Sequence, residues 1–149
     1  MSDPLLIRPR PPRSSVIALL KSQGLPVSDL TDAHLEHFFY AGDDGSPSGL
    51  VGLEIYNSVV LLRSLVVAES VRSQGLGSAL VHHAEQFAES HKIRSIYLLT
   101  TTAETFFSRL GYRRLDRAQA PTSIARTPEF SQLCPATSAF MCKSLQPNG

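Results

Sequence analysis

The sequence is poor in the features that commit a chain to metal, membrane or nucleic acid. It has only two cysteines, Cys134 and Cys142. Both sit among apolar residues with no His or Cys at ligand spacing, a poor metal site that reads instead as two reduced packing thiols. Charge of one sign is missing too: 14 Lys+Arg against 13 Asp+Glu leave a net +1, so no overall field draws in nucleic acid or a membrane surface. No apolar run approaches the ~20 residues of a membrane span, and the opening "MSDPLLIRPRPPRSS" lacks the apolar stretch of a signal peptide. These absences predict a cytoplasmic protein without a bound metal. Repeats and low-complexity tracts are absent beyond an Arg/Pro-rich arm. There Arg8, Arg10 and Arg13 alternate with prolines, have no aromatic partners, and read as a solvated flank rather than an RNA site.

What is present suits one packed domain over 1–149, with flexible ends at 1–3 and 146–149. "PLLIRP" is a short strand cut off by Pro9, Pro11 and Pro12, after which Ser14 or Ser15 can cap a helix that Gly24 and Pro26 stop. A second short helix is expected around Ser28 to Leu35, although Thr31 and Asp32 also suit a turn. Then the period changes. "HFFYAG", "GLVGLEIY" and "SVVLLRSLVV" are β-rich runs separated by "DDGSPSG" and by Asn57-Ser58, the pattern of a meander with two hairpins. From Gly77 to His91, Leu80, Val81, Ala84, Phe87 and Ala88 recur at helical spacing. "IRSIYLLTT" predicts a buried strand, "AETFFSRLG" a short helix, and "YRRL" and "SAFMCKSL" two further strands. Between these last two, residues 116–136 exceed an ordinary connection and predict local structure, with Thr127 as a cap and Pro128 at the first helical position.

The stretch "VRSQGLGSA", residues 71–79, lies between a strand and the long helix. A helix N-terminus offers N–H groups without intrahelical partners and about half a positive charge, and Gly75 and Gly77 let a phosphate approach the main chain. Arg72 adds a cation or is a solvated flank. A nucleotide P-loop is excluded because "GLGSAL" has no lysine, and a dinucleotide fingerprint is disfavoured because the upstream strands read as hairpins. Taken alone, the glycines also suit a tight turn that binds nothing.

In this setting "LVVAESVRSQGLGSAL" resembles the acyl-CoA-binding motif of the GNAT superfamily of N-acetyltransferases, Arg/Gln-x-x-Gly-x-Gly/Ala after a strand. "AETFFSRLGYRRL" resembles the family's second motif at the usual distance. The resemblance covers roughly residues 5 to 145. It implies an α/β (α+β) fold, with a mixed, mostly antiparallel sheet of six to seven strands flanked by about four helices. It also implies an enzyme that uses acetyl-CoA to acetylate the amine of a small molecule, as a monomer or homodimer. Carried over by position, the pyrophosphate lies on the main chain of Gln74, Gly75, Leu76, Gly77 and Ser78 with Arg72 nearby. The pantetheine arm runs along Leu65, Val66 and Val67, the Val67 N–H sits close to the thioester carbonyl, and Thr100, Phe106 and Phe107 line the cofactor.

Three positions depart from the family pattern: its frequent early-strand glutamate falls on Leu61, its tyrosine acid on Phe107 and a common asparagine on Thr100. Alternation along the strand puts Leu61, Arg63, Leu65 and Val67 on one face. Arg63 is therefore either an edge arginine with its head in water or a clamp for an anionic group of the substrate. Glu54 and Tyr56, alternating with Leu53 and Ile55, are the candidates for the base, directly or through water. The departures also leave open a catalytically silent acyl-CoA-binding module. His82 and His83 read as surface or groove-lining residues, and "HLEHF" is not the order of a zinc protease. "LLRSLVV", "LLTTTAETFF" and "RTPEFSQLCPATSAFM" further resemble a small GNAT branch associated with arsenic resistance. That likeness implies an amino acid bearing an arsenical or phosphinothricin-like oxyanion as acceptor, with Arg63 and Arg126 as its binding residues.

Overall fold

A computed structural model describes residues 6–72, 74–133 and 137–145. The expected ends at 1–3 and 146–149, and Cys134, lie outside them. Seven strands form one mixed sheet in the order β1-β2-β3-β4-β5-β7-β6. They are β1 (Ile7–Pro9), β2 (Phe38–Gly42), β3 (Pro47–Tyr56), β4 (Val59–Val67), β5 (Ser95–Thr100), β6 (Arg113–Leu115) and β7 (Ala139–Ser144). The helices are α1 (Arg13–Ser22), α2 (Asp32–Leu35), α3 (Leu76–Ser90), α4 (Glu104–Arg109) and α5 (Thr122–Ala125). Two compact units divide the chain, Met1–Glu54 with Leu62–Gln86, and Ile55–Leu61 with Phe87–Gly149.

In the first unit β1 and β2 pair antiparallel, as do β2 and β3. The cap expected at Ser14 or Ser15 is not used. Helix α1 starts two to three residues earlier, at Arg13, because Pro12 is extended (φ −59°, ψ 135°) and its carbonyl accepts the first helical bond from Val16 N at 3.1 Å. Ser15 is buried instead and donates to the Asp44 carbonyl at 2.5 Å. The stop is the expected one: Gly24 takes φ +70°, and the N–H groups of Gly24 and Leu25 return to Lys21 O and Leu20 O, a Schellman end. The second helix is shorter than expected. Thr31 is its cap rather than its interior, in a reciprocal box with His34: His34 N donates to Thr31 Oγ1, and Thr31 N to His34 Nδ1 at 3.1 Å. Val16, Leu20, Leu30, Leu35, Phe38, Tyr40, Leu50 and Val66 form the core of this unit.

The even alternation expected along β4 is not kept, for Val60, Leu61, Leu62 and Arg63 are all buried. Ser64, next in line, has φ +60°, a left-handed residue inside the strand. At the start of α3, Leu76 is buried, and β3 leaves room for it at Gly49, where a Cβ would lie 3.0 Å from both the Leu76 side chain and the Val66 carbonyl oxygen. This packing fixes where the long helix begins.

In the second unit β4 pairs in parallel with β5 through Val59–Ser95, Val60–Ile96 and Leu61–Tyr97. Parallel neighbours need a crossover, and α3 supplies it. Strand β7 lies antiparallel to both β5 and β6. The 116–136 segment has the expected local structure, a 3₁₀ turn at Arg117–Gln119, α5, and a π turn at Glu129–Leu133. Thr127 caps the last, its Oγ1 accepting from Phe130 N at 3.2 Å. Leu61, Ile124 and Phe140 centre the core of this unit, with Tyr97 stacked on Phe140. Among the described residues no helix is long and apolar enough to cross a membrane.

Candidate functional site

The glycine turn in the first unit is built by its backbone. After β4 a 3₁₀ turn (Glu69–Val71) leads through the exposed Arg72 and Gln74 to Gly75 at φ +82°. A left-handed residue of that kind favours glycine. The Gly75 carbonyl accepts from Ala79 N at 3.0 Å, which makes Gly75 the N-cap of α3. Helical geometry then leaves the N–H groups of Gly75, Leu76, Gly77 and Ser78 without i−4 partners. The first turn of this 15-residue helix carries no acidic side chain to occupy them. A Cβ at Gly75 would meet nothing within 4 Å, so the space beside the turn is open. These features suit a phosphate group held by main chain and dipole.

Arg72 is tied to its surroundings. Its Nε donates to the Val67 carbonyl at 3.2 Å and its Nη2 to Gln23 Oε1 at 2.6 Å. On β4, Val66 is buried while Leu65 and Val67 are half-buried.

Arg63 corrects the sequence reading. It is neither an edge arginine in water nor an open clamp, for its side chain is 1% exposed and engaged by two carboxylates. Nη1 donates to Asp29 Oδ2 at 2.5 Å and to Glu54 Oε2 at 2.7 Å, Nη2 donates to Asp29 Oδ1 at 2.9 Å, and Nε donates to Ser64 Oγ at 3.0 Å. Burial forces this pairing, because an uncompensated guanidinium would pay a large desolvation penalty. Glu54 is corrected with it. At 2% side-chain exposure its Oε2 is bonded to Arg63, so it is not the accessible base expected of a strand residue facing solvent. Tyr56 belongs to the second unit, half-buried against its core.

The other expected cofactor residues also lie in the second unit. Thr100 Oγ1 accepts from Ala103 N at 3.0 Å and so organises the entry to α4. Phe106 is half-buried, edge-on to Phe107. Phe107 is 4% exposed and also packs edge-on to Tyr112, the placement of a core ring. Arg126 is exposed at the end of α5. An open cavity of about 540 Å³ that the sequence did not signal lies nearer the edge strand, lined by Arg114, Arg117, Thr137, Ser138 and Phe140 among others.

His83 lies edge-on to Phe39 at 4.8 Å, and burial, with His82 beside it, pushes its imidazole below the usual value. Cys142 is a buried free thiol, pushed up by burial, in keeping with a packing role. Sequence reasoning missed Asp29 and Gln23, which lie 34 and 49 residues from the arginines they hold. Neither spacing carries a local signal.

A glycine turn opening a helix behind a sheet strand is the arrangement the resemblance implies for the cofactor's phosphates, and comparison with known proteins addresses the family and the fold. The chain matches the acetyltransferase (GNAT) family over residues 10–112. It belongs to that family. It is 31% identical over 94 residues to the uncharacterized N-acetyltransferase CT2212 of Chlorobaculum tepidum, covering 62% of this chain and 60% of that protein. The fold is shared with N-acetylglutamate synthase from Neisseria gonorrhoeae complexed with coenzyme A and N-acetyl-glutamate (TM-score 0.80, 18% identity, 95% of this chain and 35% of that one). It is likewise shared with Rv2747 from Mycobacterium tuberculosis in complex with CoA (TM-score 0.75, 19% identity, 95% and 99%).

Proposed function

We propose that the chain acts as a single acetyltransferase domain, moving an acetyl group from acetyl-CoA to the amine of a small molecule. The observation that carries this reading is the turn from Arg72 to Ser78: Gly75 at φ +82°, open space beside it, and helix N–H groups behind it. The main chain of Gln74, Gly75, Leu76, Gly77 and Ser78 holds the pyrophosphate. The pantetheine arm follows Leu65, Val66 and Val67, and the Val67 N–H donates to the thioester carbonyl as charge develops on its oxygen. The amine nitrogen attacks the thioester carbonyl carbon, the C–N bond forms, the C–S bond breaks, and CoA leaves as its thiolate. The proton lost by the amine goes to water. Glu54 is not assigned to that step, since Arg63 occupies it.

For the acceptor, the finer reading is an amino acid bearing an arsenical or phosphinothricin-like oxyanion. It is supported by the arsenic-branch resemblance and by the exposed Arg126; Arg63 no longer supports it. The complex of the gonococcal synthase with N-acetyl-glutamate supports an amino-acid amine as acceptor class. A second reading, a CoA-binding module without turnover, is favoured by one observation: Phe107, where the family's proton donor stands, is a buried phenyl ring. Thiol release from acetyl-CoA with a panel of amines separates the readings. CoA binding with no thiol release for any amine supports the silent module, and absence of CoA binding sinks both.

A further inference from the structure

Arg72 is about half exposed, and its two close hydrogen-bond acceptors are neutral: the Gln23 carboxamide at 2.6 Å and the Val67 peptide carbonyl at 3.2 Å. The exposed Glu69 carboxylate stands at 3.8 Å, the outer limit of ion pairing. Arg63 on the same stretch of chain has the opposite fate, with two carboxylates on its guanidinium. Neutral acceptors fix the direction of a guanidinium without cancelling its charge. Carboxylates do both. The charge of Arg63 is therefore used inside the fold, whereas that of Arg72 remains available three positions before the turn that Gly75 opens.

From this contrast we infer that Gln23 is a positioning residue for the diphosphate of the cofactor. It acts through Arg72, holding the guanidinium on the approach to the glycine turn while leaving its charge for the anion. Gln23 is placed for this by the end of α1: it is the C-cap, its N–H bonds Leu20 O and Lys21 O, and Gly24 at φ +70° closes the turn behind it. The side chain thus leaves from a fixed point. The same inter-helix segment is tied down a second time where Asp29 meets Arg63. Together the two arginines anchor residues 23–29 at both ends. This inference rests on the acetyl-CoA reading above and adds a residue to that site.

The test is isothermal titration of CoA, inorganic pyrophosphate and phosphate-free pantetheine into wild type, Gln23→Ala, Gln23→Glu, Arg72→Gln and the double variant Gln23→Ala/Arg72→Gln. Gln23→Ala is expected to weaken CoA and pyrophosphate by about three- to tenfold, the effect of loosening one partly exposed charge-assisted contact, and to leave pantetheine unchanged. Gln23→Glu keeps the hydrogen bond but neutralises Arg72, so it should weaken CoA more than Gln23→Ala does. A role in helix capping alone would act equally in the absence of Arg72, which the double variant tests. In the Arg72→Gln background, Gln23→Ala should add nothing, because the two act as one unit. Wild-type CoA affinity in Gln23→Glu, an undiminished Gln23→Ala effect without Arg72, or an equal loss for pantetheine would each overturn the inference. Wild type that binds neither CoA nor pyrophosphate overturns the acetyl-CoA reading itself, and this inference with it.

Discussion

Removing the guanidinium of Arg63 perturbs the most buried charge cluster described here. Arg63, Glu54 and Asp29 have side-chain exposures of 1%, 2% and 8%, and one nitrogen, Nη1, reaches both carboxylates. Arg63→Met keeps much of the volume and deletes the cation that both acids address. Breaking a buried pair from one side costs about 3–5 kcal/mol, because the orphaned charge stays out of water. Set against a total stability of about 5–15 kcal/mol, that is about a fifth or more. Urea unfolding should report it directly, with a melting temperature about 10 °C lower for a chain of this size. The decisive comparison is the triple variant Arg63→Met/Glu54→Gln/Asp29→Asn, which discards the orphaned charges as well and should recover at least half of the loss. Among single variants, Glu54→Gln should cost less than Asp29→Asn, since Arg63 keeps its two bonds to Asp29. A loss below about 1 kcal/mol for Arg63→Met, or a triple variant no more stable than the single one, would refute the view that buried charge holds these residues together.

Gly75→Val should weaken CoA binding at least tenfold and Gly75→Asn less, since the space beside Gly75 is open and the penalty is backbone strain at φ +82°, which Asn tolerates better; CoA titrations of the two variants check the order. Phe107→Leu should lower stability by about 1 kcal/mol yet leave the shape of the pH dependence of kcat unchanged, because a phenyl ring donates no proton; a shifted alkaline limb would contradict this. His83, whose folded-state value is pushed below 6.5 by burial, binds protons more readily unfolded. Its contribution to stability should be full above about pH 6.5 and lost as the pH falls from there toward the lower folded value, and His83→Gln should flatten that slope in urea titrations read across pH.

Elements marked by period or by turn chemistry were legible. The helical spacing of Leu80, Val81, Ala84, Phe87 and Ala88 announced α3, and Asn57 at φ +57° is the hairpin residue its sequence suggested. The Thr127 cap was equally plain. Features set by distant partners were not. Nothing local tells that an arginine on a strand faces Asp29 across 34 residues of chain, so Arg63 reads from sequence as an edge arginine in water or a clamp for an anionic substrate group. The break in β4 escaped because its left-handed residue is a serine, where pattern reading expects glycine. The start of α1 was misplaced because two serines looked like caps, while the proline before them already supplied the required backbone and carbonyl. The candidate phosphate turn was readable because its chemistry lies in the main chain of a contiguous segment. The residues that steady it come from elsewhere.

Ser64 joins two demands at one position. Its backbone sits at φ +60°, where an L-residue stores about 1–2 kcal/mol of strain, and its hydroxyl accepts from Arg63 Nε. Glycine would relax the first and abandon the second, whereas threonine would keep the hydroxyl and stiffen the backbone further. In a saturation scan this site should therefore behave unlike its neighbours in β4. The tolerated set should be short and polar, with Asn beside Ser, and the usual strand formers Val and Ile should rank among the most harmful choices, in the middle of a strand that carries four valines.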